Sequence, residues 1–333
     1  MKNALITGVT GQDGFHLTSI LLSLKYSVYG ITTGLDPERL AKFQTLFPGV
    51  KIITGDIRSI DFLESSIELA NPDEIYNLAA VSSVARSFEM PKQTFEINYS
   101  CVVQLTDVLI SKPRFRRIRL YQASSSEMFG NQSDRIIDEM TVLSPVSPYG
   151  ESKAMAHELC KKLNSEGSLR ISLGILFNHE SEYRQKNFVS SKILDGAFKI
   201  LKDPTFELQM GSMSARRDWG YAPDYVDAIF EMMQLEQGED FVIATGKSHS
   251  VGNFIETVFI ELGIEDKIES NVRSDEALFR KVEIPSSVGN SNKAKKMLGW
   301  TPTHDFQMMV SKIVQARKSE SHRDEQKGNS SSS

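Results

Sequence analysis

The stretch NALITGVTGQDGFHLTSILLSL (3–24) changes its hydrophobic period across a run of glycines. NALIT (3–7) is a short continuous apolar run, the pattern of a strand buried on both faces. Behind the glycines, Leu17, Ile20, Leu21 and Leu24 recur at helical spacing. Gly8, Gly11 and Gly14 stand between the two elements. Glycine suits a tight turn, a close approach of backbone to a pyrophosphate, and close packing of helix on sheet. The start of the helix then offers free N–H groups to an anion. The spacing GxxGxxG is a weak signal alone, and a glycine turn that binds nothing is the bland reading. Its place between a strand and an amphipathic helix makes it a dinucleotide fingerprint.

Outward from this unit the alternation continues. Strand-like runs recur at SVYGI (27–31), VKIIT (50–54), EIYNLAA (74–80), RIRLYQA (117–123) and RISLGILF (170–177). Helical patterns separate several of them, around 61–70, 94–111 and 150–164. Strand–helix alternation predicts an α/β fold with a parallel sheet covered by helices on both faces. After about residue 178 the alternation loosens, and EDFVIAT (239–245) is the one further clear strand. The expected division is a dinucleotide-binding domain over 1–177, joined by 220–245. A smaller C-terminal α/β substrate-binding lobe takes 178–219 and 246–317, and a polar tail over 318–333 is expected to be disordered.

At 333 residues, 40% apolar and 24% charged, the chain has the composition of a globular protein with a substantial core. A net charge of -5 argues against a nucleic-acid partner. Cys101 and Cys160 form no metal or redox motif, so no metal is expected and both read as buried free thiols. Met1-Lys2-Asn3 leads directly into a strand, and no apolar run approaches the roughly 20 residues of a membrane span. The expectation is a cytoplasmic protein without a membrane partner.

The type of dinucleotide is harder to read. A carboxylate after the second strand would grip the adenosine ribose of NAD, and an arginine would accept the 2′-phosphate of NADP. This chain has Ile31-Thr32-Thr33-Gly34 there, with neither. Asp56, after the third strand, is a candidate partner for the adenine, and equally a candidate helix N-cap.

SPYGESK (147–153) sets Tyr149 and Lys153 four residues apart, on one face if the segment opens a helix. An ammonium beside a phenol favours the phenolate and the positive nicotinamide adds to the effect, so Tyr149 is expected to work as a base well below its ordinary pKa of about 10. YQASSSEMFG (121–130) ends an apolar strand in three serines and the carboxylate Glu127. A polar turn would explain the serines, while an acid at the end of a central strand suggests proton transfer.

GVTGQDG, NLAAVSSV, YQASSSEMFG, SPYGESK, GILFNHES, RRDWGYAPDYVDA and KAKKMLGWTP together resemble the extended short-chain dehydrogenase/reductases. Within that group the resemblance is to the GDP-mannose 4,6-dehydratase family, from residue 1 to about 317. NHES…NFV and RDWG are far more specific to it than YxxxK. The resemblance implies a Rossmann-like doubly wound sheet and a catalytic set of Ser125, Glu127, Tyr149 and Lys153. Ser125 stands where the family usually has Thr and keeps the hydroxyl. In the implied chemistry Tyr149 takes the proton of the sugar 4-hydroxyl as C4 gives hydride to the nicotinamide. Ser125 holds the forming keto oxygen, and Lys153 holds the cofactor ribose and the charge state of the tyrosine. Glu127 then takes the C5 proton and protonates the departing 6-hydroxyl.

The resemblance also implies the binding residues. Cofactor contacts fall on Gly8, Thr10, Gly11, Gln12, Asp13, Gly14, Asp56, Ile57, Leu78, Ala79, Ala80, Ser82, His179 and Arg184, besides Tyr149 and Lys153. Substrate contacts fall on Ser82, Ser83, Asn178, Asn187, Val189, Lys192, Arg217, Arg280 and Glu283. Any single arginine of this set would more commonly be a solvated surface charge, and Trp219 reads as core. The chain departs from the family at four places. Ser82-Ser83 replaces Ser-His, which with Arg86 bears on which hexose or heptose fits. Glu182-Tyr183 replaces Pro-Arg, and Gln185-Lys186 replaces Gly-Glu. ITTGLDPERLAKFQ (31–44) lacks the arginine pair of a longer segment that binds NADP and helps build a tetramer. NADP is favoured by resemblance, NAD stands as the alternative, and the assembly is expected to be a homodimer or a homotetramer.

The rival readings keep the fold. A nucleotide-sugar decarboxylase also has Ser-x-Glu after the fifth strand but needs a basic pocket for a uronate. An epimerase or a 4-keto-sugar reductase has no use for Glu127. A non-catalytic nucleotide sensor would tolerate loss of Tyr149, Lys153 or the acid, and all three are present.

Overall fold

The computed structural model describes residues 1–132, 135–279 and 282–330, with residues 322–330 as backbone only. The first six strands are β1 (Asn3–Thr7), β2 (Ser27–Thr32), β3 (Lys51–Thr54), β4 (Glu74–Asn77), β5 (Arg119–Ser125) and β6 (Arg170–Leu176). They are followed by β7 (Asn178–Glu180), β8 (Leu208–Met210), β9 (Arg216–Tyr221), β10 (Asp240–Ile243), β11 (Ser248–Ser250), β12 (Val272–Ser274) and β13 (Ser286–Ser287). The main sheet is parallel throughout and runs β10-β6-β5-β4-β1-β2-β3. The direction of winding reverses at β1, which leaves a crevice outside the carboxyl ends of β1 and β4.

Alternation along the strands divides the core into two layers. Ala4 and Ile6 of β1 join Val28, Tyr76, Tyr121 and Phe241 on one face. Leu5, Ile31, Ile75, Leu120 and Ile171 pack on the other. Helices cover both layers, and two of them start where the sequence supplies a cap. Ser59 accepts from Phe62 N at the start of Ile60–Ala70, and Ser147 accepts from Gly150 N at the start of Pro148–Ser165. The helical pattern around 94–111 is interrupted by a π-helical turn, Glu96–Ser100. That turn buries Asn98, whose amide bonds both backbone groups of Val81.

The second lobe has its own core, in which Trp219 meets Ile193, Phe254, Phe306 and Val310. Here the sequence pattern falls short. RDWG lies in β9, which is flanked by β11 and β13 and also pairs with β7. The partners β7, β11 and β13 are only two or three residues long, too short for a period to show. One helix runs Phe306–Ser330 and so extends into the polar tail over 318–333. Val310, Ile313 and Val314 dock it on the lobe, and Arg317–Asp195 and Lys42–Glu320 ion pairs continue past the apolar part. Its Lys, Glu, Gln and Arg are good helix formers, so composition alone did not separate a solvated helix from coil. Among the described residues, no helix is long and apolar enough to cross a membrane.

Candidate active site

A cavity of about 870 Å³ opens at the carboxyl ends of β1, β4, β5 and β6. The glycine turn forms its floor. Gly8 has φ +67°, and a Cβ there would stand 2.8 Å from the Cα of Ala79. A Cβ on Gly14 would run into the Val9 carbonyl. The helix Gln12–Ser23 begins without a side-chain cap, which leaves its first N–H groups for a ligand. Glycines that admit no side chain beside uncapped N–H groups fit the pyrophosphate of a dinucleotide. His179 joins this floor, with Nε2 3.0 Å from Asp13 Oδ1 and Nδ1 2.7 Å from the Phe177 carbonyl. Buried beside one another, the two groups ionise together. Burial opposes charge on both, but the imidazolium holds Asp13 down at about 2, and Asp13 raises His179.

The candidate catalytic residues meet because the start of one helix lies against the end of β5. A Cβ on Gly150 would stand 2.5 Å from the Glu127 carbonyl, so glycine lets Pro148–Ser165 approach the SSSE turn. Ser125 accepts from Glu127 N at 3.3 Å and hydrogen-bonds the Tyr149 hydroxyl. Ser124 turns the other way, to Nδ1 of His157 at 2.9 Å. Lys153 donates to the Ala123 carbonyl at 2.8 Å and lies 5.9 Å from the centre of the Tyr149 ring. Ser125, Glu127, Tyr149 and Lys153 all face the cavity.

Burial pushes Tyr149 up to about 12, with Glu127 adding to the rise and the Ser125 hydrogen bond opposing it. Burial also brings Lys153 down to about 8. The lysine lies over the phenol ring and is hydrogen-bonded to a carbonyl, so in the protein by itself desolvation dominates both groups.

The rest of the sequence-derived set sorts as follows. Thr10, Gly11, Gln12, Asp13, Leu78, Ala79, Ala80, Ser82, Asp56 and Ile57 line the cavity, as do Ser83, Asn178, Asn187, Val189 and Lys192. Asp56 is not a helix cap, since Ser59 has that position, and its carboxylate is held by Arg58. Arg184 pairs with Glu180 at 3.0 Å and stacks on Phe188 at 3.6 Å. Arg217 is no surface charge: it is buried, donating to Glu283 at 2.9 Å and to the Ile284 carbonyl at 2.7 Å. Arg86 lies outside the lining, and Arg280 lies outside the described residues. Gln93, Ile97, Met210, Ser212 and Leu278 complete the walls without any signal in the sequence. Arg39 is a further surprise, tying Thr10 of the glycine turn to the carbonyl of Tyr183.

A deep cleft with a dinucleotide floor, a Tyr–Lys pair and an acid on one strand end agrees with the comparison to protein families. The sequence model described as GDP-mannose 4,6 dehydratase matches residues 5–313. The chain belongs to this family. GDP-mannose 4,6 dehydratase 1 of Arabidopsis thaliana is 38% identical over 94% of this chain and 89% of the relative. The human GDP-mannose 4,6 dehydratase is 34% identical over 94% and 90%. Among solved structures, the UDP-glucose 4-epimerase of Thermotoga maritima superposes with a TM-score of 0.84 at 20% identity, covering 96% of this chain and 99% of that one. The dTDP-glucose 4,6-dehydratase of Bacillus anthracis, in complex with NAD, gives 0.82 at 20% identity over 96% and 97%. Those two likenesses establish the fold. Membership of the GDP-mannose 4,6-dehydratase family makes the chain an enzyme of the hydro-lyase class with a nicotinamide cofactor and a nucleotide-sugar substrate.

Proposed function

We propose that this chain converts GDP-mannose, or a close GDP-hexose or GDP-heptose, to the GDP-4-keto-6-deoxy sugar and water. The observation that carries the reading is Glu127, an acid that lines the same cavity as Ser125, Tyr149 and Lys153. Oxidation at C4 needs only the last three, and an acid beside them suits elimination across C5–C6. When bound over Gly8, Gly11 and Gly14, the nicotinamide dinucleotide supplies a hydride acceptor at C4 and a donor at C6. Tyr149 accepts the 4-hydroxyl proton, and Ser125, already bonded to Tyr149, donates to the keto oxygen. Glu127 removes the C5 proton, which the 4-ketone acidifies, and passes a proton to the departing 6-hydroxyl. Buried Arg217 suits the diphosphate of the nucleotide sugar.

Resemblance alone supports NADP over NAD and a homodimer or homotetramer, and two cysteines that form no motif support a cytoplasmic location. The decisive experiment is incubation of the purified chain with GDP-mannose and a catalytic amount of oxidised dinucleotide, followed by mass spectrometry. A product lighter by one water, with no net consumption of the cofactor, is expected. Stoichiometric oxidation of a reduced cofactor would indicate a reductase, and carbon dioxide from a uronate a decarboxylase. An inverted sugar of unchanged mass would indicate an epimerase, and nucleotide binding without turnover a sensor.

A further inference from the structure

The inference below rests on the nicotinamide-dinucleotide reading of the cavity and concerns its adenosine end. In a doubly wound fold, side chains just beyond the second strand read the ribose 2′ position. Here β2 and β3 run side by side with Thr32 opposite Thr54, so the segments after both strands emerge together. Thr32, Thr33 and Leu35 line this end of the cavity from one strand, and Asp56, Ile57 and Arg58 from the other. An NADP 2′-phosphate placed there brings roughly −1.5 to −2 of charge and needs a cation to meet it.

Each nearby cation is already engaged. Arg58 gives Nε and Nη2 to Asp56 Oδ2, at 2.9 and 2.5 Å, and its Nη1 lies 3.7 Å from Glu96. One guanidinium thus faces two carboxylates, and the trio is a net anion. Arg39 is half-buried and directed elsewhere, with Nε and Nη2 on the carbonyls of Thr10 and Tyr183. Lys42 is paired with Glu320 at 2.6 Å. Among the described residues, no other Lys or Arg lines this end. What remains is neutral or acceptor: threonine hydroxyls, the exposed Leu35 side chain, and the Asp56 carboxylate. A ribose hydroxyl can donate to the threonine hydroxyls and the carboxylate, whereas the Asp56 carboxylate repels a phosphate dianion. We infer that this chain selects NAD over NADP, contrary to what resemblance supports. The trio is partly exposed, so screening holds the discrimination to tens of fold rather than thousands.

The test is isothermal titration of the full-length, sugar-free protein with oxidised NAD and with oxidised NADP. NAD is expected to bind at least about tenfold more tightly, a difference of about 1.4 kcal/mol. Equal binding, or tighter NADP, overturns the selectivity while leaving the cofactor reading intact. Binding of neither refutes the cofactor reading and the selectivity with it. Two variants then locate the effect. Thr33→Arg, at an exposed position, is expected to tighten NADP about tenfold, as one added charge-assisted contact would, and so to shift the ratio of NADP to NAD affinity toward NADP. Arg58→Gln is expected to leave NADP no weaker than in the parent. A selective loss of NADP binding in Arg58→Gln would mean that Arg58 leaves Asp56 to read the phosphate, and the inference falls.

Discussion

At the catalytic end of the cavity, Tyr149 and Lys153 are buried with no ion pair between them, and desolvation sets their charge. At the opposite end, His179–Asp13, Arg184–Glu180 and Arg217–Glu283 are less enclosed, with the Glu283 side chain 30% exposed, and each charge has an opposite partner. Both depth of burial and pairing therefore separate the two ends. An unpaired buried ionisable group favours its neutral form, which suits a residue that must exchange protons. A paired one keeps its charge in the folded chain.

The comparison breaks first at Glu127. Glu127→Gln is expected to cut dehydration by about 10²–10⁴-fold with dinucleotide and GDP affinity unchanged. Product formed by the parent in D2O should carry deuterium at C5, and its absence would remove the proton role given to Glu127. Arg217→Ala should act in the opposite sense, on binding. KM is expected to rise about 10–100-fold with kcat nearly constant, because a charge-assisted contact worth about 1.5–3 kcal/mol is lost in ground and transition states alike. A fall in kcat alone would place Arg217 at the reacting sugar.

Lys153 sharpens the comparison through stability. Below pH 8 the folded and unfolded chains both hold the ammonium, so its burial is fully opposed. Between about pH 8 and 10.5 the unfolded chain binds more protons, and stability climbs with pH. Lys153→Met should therefore be more stable than the parent to urea at pH 7 without cofactor, and the gain should vanish near pH 10.5. A gain independent of pH would mean that packing, not charge, is responsible.

The smallest effect is expected at the His179–Asp13 pair. Asp13, lowered to about 2, contributes stability above pH 3.8 that is lost as pH falls toward 2. His179, raised from 6.5, contributes below that value and loses its contribution as pH rises through the folded pKa. The stability gap between parent and His179→Gln should thus be widest between about pH 4 and 6.5. A flat difference across urea titrations at pH 3, 5 and 8 would show that the pair is held by its hydrogen bond and not by its charge.

Much of the main sheet could be read because its strands are long enough to show a period and its helices carry caps. The runs at 3–7, 27–31 and 170–177 coincide with strands β1, β2 and β6 to within a residue. The lobe could not be read in the same way, since β7, β11 and β13 owe their existence to β9 and not to their own composition. Within the site, Tyr149 and Lys153 announced themselves by spacing, and Glu127 by standing at a strand end. Gln93 did not, because a glutamine in a short helix looks like any solvated residue until the cavity forms around it.

The sequence by itself determined the alternating fold, the glycine floor and the four-residue step from Tyr149 to Lys153, because these depend on periods and spacings of a few residues. Only the tertiary structure decided which charges are spoken for. Arg217 meets Glu283 across 66 positions, His179 meets Asp13 across 166, and Arg58 lies between Asp56 and Glu96. Whether a cation is free to hold a phosphate depends on distance and desolvation in the folded chain, and neither is written in local order.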